Sequence, residues 1–152
     1  MDPHINIKNL SYQNLKQRIK ENEGFSLKPY KDQLGFFTIG FGHLILSNEK
    51  YLLEKKINKT ELEKIFIKDF DKALKNFNIF LKHFSSNIRD SELLIEMVFQ
   101  IGIKGVLKFK KLLHNMDKEN KHLVCFEIMN SLWYKQTPSR VKNLVSAFLK
   151  NE

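Results

Sequence analysis

Two carboxylates and a hydroxyl set at short intervals are the residues of this 152-residue chain best placed for chemistry. Glu23 stands where a first helix should end. Asp32 follows with eight residues between them, and Thr38 comes after five more. Around a tight β turn these three side chains can face one cleft. Glycoside hydrolysis needs this set: one carboxylic acid protonates the departing oxygen, and a second carboxylate activates water or attacks the sugar. The acid must stay protonated near neutral pH, which partial burial arranges by raising its pKa. Spacing alone is weak support. A Glu and an Asp this close occur in any chain of this length, and the plain alternative is two surface acids and a strand threonine.

The elements that must position them read as follows. Leu10, Leu15 and Ile19 suggest a first helix ending before Asn22–Gly24. The stretch from Phe25 to Leu46 is rich in aromatic and β-branched residues and broken by glycines, which predicts short antiparallel strands. Gly35, Gly40 and Gly42 cluster there, and Gly102 and Gly105 form a second cluster; such clusters mark turns or close backbone approaches. From Thr60 on the pattern is helical. Thr60-Glu61-Leu62-Glu63 reads as a capping box, and Leu62, Ile65, Phe66, Phe70, Ala73, Leu74 and Phe77 follow at helical spacing. Further helices are expected near 91–101, 105–114, 120–132 and 138–150. The last is announced by Thr137-Pro138, a cap residue followed by proline at the first helical position. The class is α+β, mostly α.

The residues around the three candidates sharpen the reading. Glu23-Gly24-Phe25, Tyr30-x-Asp32, Gly35 and Thr38-Ile39-Gly40-x-Gly42-His43-Leu44 together resemble the signature of the phage-type (T4-like) lysozymes, the glycoside hydrolase 24-like family of many phage endolysins. Met97-Val98-Phe99-Gln100-Ile101-Gly102 with Gly105-Val106 is similar to that family's central helix and the turn after it. Ser131-x-Trp133-Tyr134-x-Gln136-Thr137-Pro138-x-Arg140 is similar to its C-terminal motif. A weaker match, Ile57-x-Lys59-x-Glu61-x-Glu63-Lys64-x-Phe66-x-x-Asp69, lies at the start of the long helix. The matches run in the family's order from about Leu15 to Leu144.

The resemblance implies a lysozyme-like fold in one domain spanning 1–152. An N-terminal β-containing lobe covers about 12–58, a connecting helix about 60–80, and a helical C-terminal lobe about 81–152. It implies an inverting muramidase that cuts the β-1,4 bond between N-acetylmuramic acid and N-acetylglucosamine and so lyses bacterial cells. Glu23 matches the general acid, Asp32 the water-activating carboxylate and Thr38 the hydroxyl that positions the water. The two carboxyls are then expected at the inverting separation of about 6.5–9.5 Å. Leu44, Phe99 and Gln100 match glycan-side positions, with core packing as the alternative for the first two. Arg140 matches an arginine that reaches the acid; without the Trp133–Pro138 context it reads as a solvated helix residue. His43 is expected to anchor the β lobe, with Asp69 as its partner. A lone His with no second His or Cys beside it is a poor metal ligand, and no metal or cofactor is expected.

Three departures from the family stand out. The segment Ile45–Lys56 is shorter than in T4-like members, where it holds an extra small helix. Leu112 and Glu127 fall where such members carry polar substrate contacts. Glu96 replaces a frequent asparagine in the central helix, and because an unpaired buried Glu is costly, it is expected to be partly exposed or salt-bridged.

Composition narrows the remaining classes. Hydrophobic residues make up 42% and charged residues 28%, which suits a globular chain, and thirteen Phe supply bulky core material. No stretch reaches the roughly 18 apolar residues of a membrane span, so stable membrane insertion is not expected. Met1–Leu15 has no apolar core of an export signal. One cysteine, Cys125, excludes an intramolecular disulfide. Taken with the family resemblance, these features imply accumulation in a host cytoplasm, with a holin, the family's usual partner, giving access to the wall. The net charge is +9, from 26 basic and 17 acidic residues, and it draws the chain to polyanions such as acidic cell-envelope polymers. Lysines spread over every predicted helix look like a solvated surface rather than a nucleic-acid footprint. Two alternatives stand beside the muramidase: a lytic transglycosylase, which needs the acid but no water-activating carboxylate, and a non-catalytic basic binding module. The expected state is a monomer.

Overall fold

The computed structural model describes the backbone of residues 3–150 and the side chains of residues 12–150. It divides into two compact units, Met1–Asp71 and Lys72–Glu152.

The first unit opens with α1, Pro3–Glu23. Its buried Leu15 and Ile19 lie one helical turn apart; the side chain of Leu10 lies outside the described residues. The helix runs through Asn22 to Glu23, further than its apolar spacing predicts, and the Gly24 N–H closes it by donating to the Lys20 carbonyl at 3.0 Å. Three antiparallel strands follow: β1 (Ser26–Lys31), β2 (Phe37–Gly40) and β3 (His43–Leu44), in the order β1-β2-β3. Tyr30 pairs with Thr38, Lys31 with Phe37, Thr38 with Leu44, and Ile39 with His43. Alternation along β2 sends Ile39 to one side, where it packs with Leu52, Ile57 and Leu62. Thr38 faces the other side.

Segment 45–56, expected to lack a small helix, holds a 3-10 turn (Ser47–Glu49) and a one-turn helix, α2 (Tyr51–Glu54). Leu52 of α2 is buried in the Ile39 cluster, and this anchors so short an element. The long helix α3 spans Lys59–Phe80 and belongs to the first unit through Asp71. Its cap is not Thr60. The Asn58 side chain accepts from the Glu61 N–H at 2.9 Å, so the capping residue lies two positions earlier than the sequence motif indicates. Glu63, read as the reciprocal partner in that box, instead takes an ion pair from Lys20 at 2.6 Å, which ties α3 to α1. The same ammonium lies 5.0 Å from the ring centres of both Phe41 and Phe66. A run of rings, Phe25–Phe41–Phe66–Phe70–Tyr12, continues the contact at centroid distances of 4.8 to 6.4 Å.

The second unit holds the end of α3 and five more helices: α4 (Ile88–Leu107), α5 (Lys110–Asp117), α6 (Lys121–Met129), α7 (Leu132–Gln136) and α8 (Pro138–Leu149). Every residue from Glu92 to Val98 is buried, so this middle stretch of α4 is enclosed on all sides. It starts earlier than its apolar spacing predicts. Asn87 caps it by accepting from the Asp90 N–H at 3.0 Å, and the buried Asp90 carboxylate accepts from the Ser86 N–H at 3.0 Å. Burial pushes the Asp90 pKa up, against the pull of that hydrogen bond. The expected helix 105–114 is not one element. Residues 105–107 complete α4, which breaks at Gly102 with φ +76°, and α5 begins at Lys110. The expected helix 120–132 ends early, at Met129, and its last residue, Leu132, opens α7. Ser131 closes α6 by donating to the Ile128 carbonyl at 2.6 Å and caps α7 by accepting from the Tyr134 N–H at 3.2 Å. Thr137 occupies the cap position of α8 with Pro138 after it, but its hydroxyl donates back to the Trp133 carbonyl at 3.2 Å.

Candidate active site

Glu23 ends α1 and Gly42 follows β2, and the fold brings their surroundings into contact. A methyl group on Gly42 would collide with the Glu23 Oε2 and lie 2.8 Å from its carboxyl carbon, so that carboxylate rests directly against the Gly42 backbone. Gly42 also holds φ at +75°, a region L-residues avoid. The second glycine of the Gly40-x-Gly42-His43 motif is thus a seat for the candidate acid. The sequence marks it, with Gly35 and Gly40, as a turn or a close backbone approach, but does not name Glu23 as the group that approaches it.

Asp32 stands at the end of β1, where the hairpin turns. One of its oxygens, Oδ1, accepts from the backbone N–H groups of Leu34 and Phe36, each at 2.9 Å. Its own N–H donates to the Phe36 carbonyl at 2.8 Å, and the Gly35 N–H donates to the Asp32 carbonyl at 3.0 Å. The turn therefore fixes the carboxylate while Oδ2 takes no part in these bonds. Strand alternation places Asp32 on the same side as Tyr30, and the register places Thr38 opposite Tyr30 and Leu44 opposite Thr38. Asp32, Thr38 and Leu44 consequently share one side of the sheet. Thr38 is buried, and its hydroxyl donates to the Phe36 carbonyl at 3.2 Å. Its oxygen then has lone pairs for a donor such as water. Leu44 is exposed.

His43 lies on the opposite side of the sheet, with Ile39. Its Nδ1 is 2.7 Å from Asp69 Oδ2 on α3, the partner that the sequence singles out. Its Nε2 is 2.9 Å from Glu49 Oε1, a second carboxylate that the sequence reading missed. Glu49 Oε1 also accepts from the Leu46 N–H at 3.0 Å, which fastens the turn after β3. Burial lowers the His43 pKa, but the two carboxylates outweigh it and the net shift is upward from 6.5. His43 therefore ties strand, turn and helix together, and its two carboxylate partners favour the protonated ring. Among the described residues, no group of three or more His, Cys, Asp and Glu is arranged to hold a metal ion.

Phe99, Gln100 and Arg140 belong to the second unit. Phe99 and Gln100 lie on α4 ahead of its break, each half-buried, and Arg140 lies in the first turn of α8. Glu96, expected to be partly exposed or salt-bridged, is fully buried, and the Gln100 amide donates to its Oε2 at 3.4 Å, one turn along. Leu112 is buried in α5, and Glu127 is half-buried on α6.

A helix-ending carboxylate against a glycine, and a turn-bound carboxylate at the end of a small three-stranded sheet that holds a buried threonine, suit a lysozyme-like unit. The comparisons with known proteins agree with it. The phage lysozyme family model matches residues 20–147, and the chain belongs to that family. It is 33% identical to Probable T4-type lysozyme 2 of Dictyostelium discoideum, over 88% of this chain and 92% of that protein. It is 34% identical to Probable T4-type lysozyme 1 of the same organism, over 87% and 91%. It is 26% identical to the pre-baseplate central spike protein Gp5 of Enterobacteria phage T4, over 88% of this chain and 27% of that longer protein. By family the chain is a lysozyme-like muramidase, a glycoside hydrolase whose substrate is peptidoglycan.

Proposed function

We propose that the chain hydrolyses the β-1,4 bond between N-acetylmuramic acid and N-acetylglucosamine with inversion. Glu23 donates its proton to the glycosidic oxygen as the bond breaks. Asp32 takes a proton from a water through Oδ2, and Thr38 accepts the water's other hydrogen, which aims a lone pair at the anomeric carbon. Each proton is accounted for: one passes to the leaving sugar and one to Asp32. Leu44, Phe99 and Gln100 are the glycan-binding positions, and His43 and Arg140 the supporting ones. The observation that carries this reading is the Asp32 carboxylate, fixed by two backbone N–H groups on the side of the sheet that holds Thr38. A transglycosylase has no use for a carboxylate so positioned, because the muramic acid 6-hydroxyl replaces the water.

Cell lysis, cytoplasmic accumulation, access to the wall through a holin and action as a monomer belong to the same proposal. They are supported by the family membership.

The deciding experiment digests purified peptidoglycan and reads the products by mass spectrometry. Hydrated reducing ends are expected from the parent chain. Products lighter by one water, the 1,6-anhydro form, would remove the role given to Asp32, and folded protein that releases nothing would move the reading to a binding module. Asp32→Asn is expected to abolish hydrolysis, and Glu23→Gln to abolish all cleavage while keeping the fold.

A further inference from the structure

We propose that Phe36, beside the tip of the β1–β2 hairpin, is a sugar-binding residue whose ring stacks on the apolar face of the pyranose attacked at its anomeric carbon. The inference deepens the hydrolase reading and rests on it.

Hairpin register decides where this ring stands. Lys31 pairs with Phe37. One step further out, the Asp32 N–H donates to the Phe36 carbonyl at 2.8 Å, so Asp32 and Phe36 face each other across the last rung. The Gly35 N–H closes the turn on the Asp32 carbonyl, and Gly35 holds φ at +87°, a conformation that favours glycine. Side chains alternate along a strand. Phe36 therefore shares the side of the sheet that holds Thr38, two residues on, and Asp32, opposite. Cross-strand neighbours stand about 5 Å apart at Cβ, and same-side neighbours along a strand about 7 Å. Phe36 thus borders both groups assigned to the attacking water.

The two successive phenylalanines differ in their surroundings. Phe37 points to the other side, where the Lys31 ammonium lies 5.5 Å from its ring centre. Phe36 is 56% exposed and, among the described residues, has no ring or cation against it. Tyr30 and Leu44 are also exposed on the Thr38 side, and Thr38 between them is buried. An apolar rim consequently surrounds the hydroxyl, and Phe36 is its member next to the Asp32 carboxylate.

The chemistry of inversion says what meets that rim. Water enters on the face of the sugar opposite the departing oxygen. In a β-linked pyranose with equatorial substituents, that face carries axial C–H bonds and no axial hydroxyl. Those C–H hydrogens suit the negative face of an aromatic ring. A phenyl ring beside the water-activating carboxylate so meets the least polar surface of the substrate. A lipid surface or a second protein chain laid over the same rim would bury the Asp32 carboxylate without its water, which is costly.

Binding and turnover of soluble, uncrosslinked glycan strands test this. Phe36→Ala is expected to raise KM about tenfold, with kcat within about twofold and the melting temperature unchanged. In the Glu23→Gln background, which is expected to bind without cleaving, calorimetry should show the same loss of affinity. Phe36→Trp is expected to restore parental affinity. Phe36→Leu is apolar but has no flat face, and is expected to restore little; it also carries the test if the alanine variant fails to fold. Three results would overturn the proposal: parental KM and Kd in folded Phe36→Ala, parental affinity in Phe36→Leu, or a loss confined to kcat, which would mean that the side chain acts only by holding the turn around Asp32. Binding is read apart from cleavage. Anhydro products from the parent would overturn the role of Asp32, while the ratio of Kd values still decides for or against Phe36.

Discussion

At Gly42 a single methyl group competes with the Glu23 carboxylate for the same space. Gly42→Ala is therefore expected to cut kcat by an order of magnitude or more while the protein still folds, with about 1–2 kcal/mol of strain from its positive φ. Turnover and thermal melting, measured together, check this; unchanged kcat would show that the acid does not need that seat. His43 gives a pH prediction. Its folded pKa is raised above the ordinary 6.5, so the folded state holds its proton where the unfolded chain has lost it. The stabilisation is complete below about pH 6.5 and is lost as pH rises through the folded value. Melting temperature is expected to fall on going from pH 6 to pH 9, and His43→Asn to flatten that slope. At this scale the sequence was legible where residues sit in a fixed motif. Asp32, Thr38 and His43 are carried by short spacings around a hairpin, and Asp69 lies on a regular helix facing it. Glu49 was not legible, because the path of an irregular turn chose it, and no periodicity records such a path.

Helices show why local signals compete. Asn58-x-x-Glu61 and Thr60-x-x-Glu63 are both plausible caps, and tertiary structure decides between them by engaging Glu63 with Lys20. The five residues of α7 are too few to display a 3.6-residue period, so its first residue was read as the end of α6 and the other four were not read as helix. The break at Gly102 was foreshadowed by a glycine, but the residues beyond it remain helical, which moved the expected start of the next element. Buried residues of long helices were read best: Leu62, Phe66, Phe70, Ala73 and Phe77 all lie inside α3's packed face. Phe70→Ala removes a ring set between Tyr12 and Phe66. It is expected to cost about 3–5 kcal/mol in chemical denaturation, and parental stability would mean the pocket collapses without loss.

On the scale of the whole chain, the fold class and family were readable because the motifs run in order along nearly its full length, while the sorting of charge was not. Net charge gives no hint that three of the six acids in residues 72–150, Asp90, Glu92 and Glu96, are buried. A cationic exterior facing an acidic envelope predicts that hydrolysis of whole walls slows as salt rises from about 0.05 to 0.3 M, and that cleavage of a short neutral oligosaccharide changes little. The His43 clamp has a further consequence at this scale. Its bond to Asp69 closes a loop of 26 residues, a job that secreted proteins give to a disulfide and that a chain with one cysteine must do otherwise. A closed loop restricts the partly opened chain as well as the native one. The strands and α3 should therefore exchange their amide hydrogens as one cooperative block. Above the titration of His43 the latch opens, and the sheet should begin to exchange ahead of the helix.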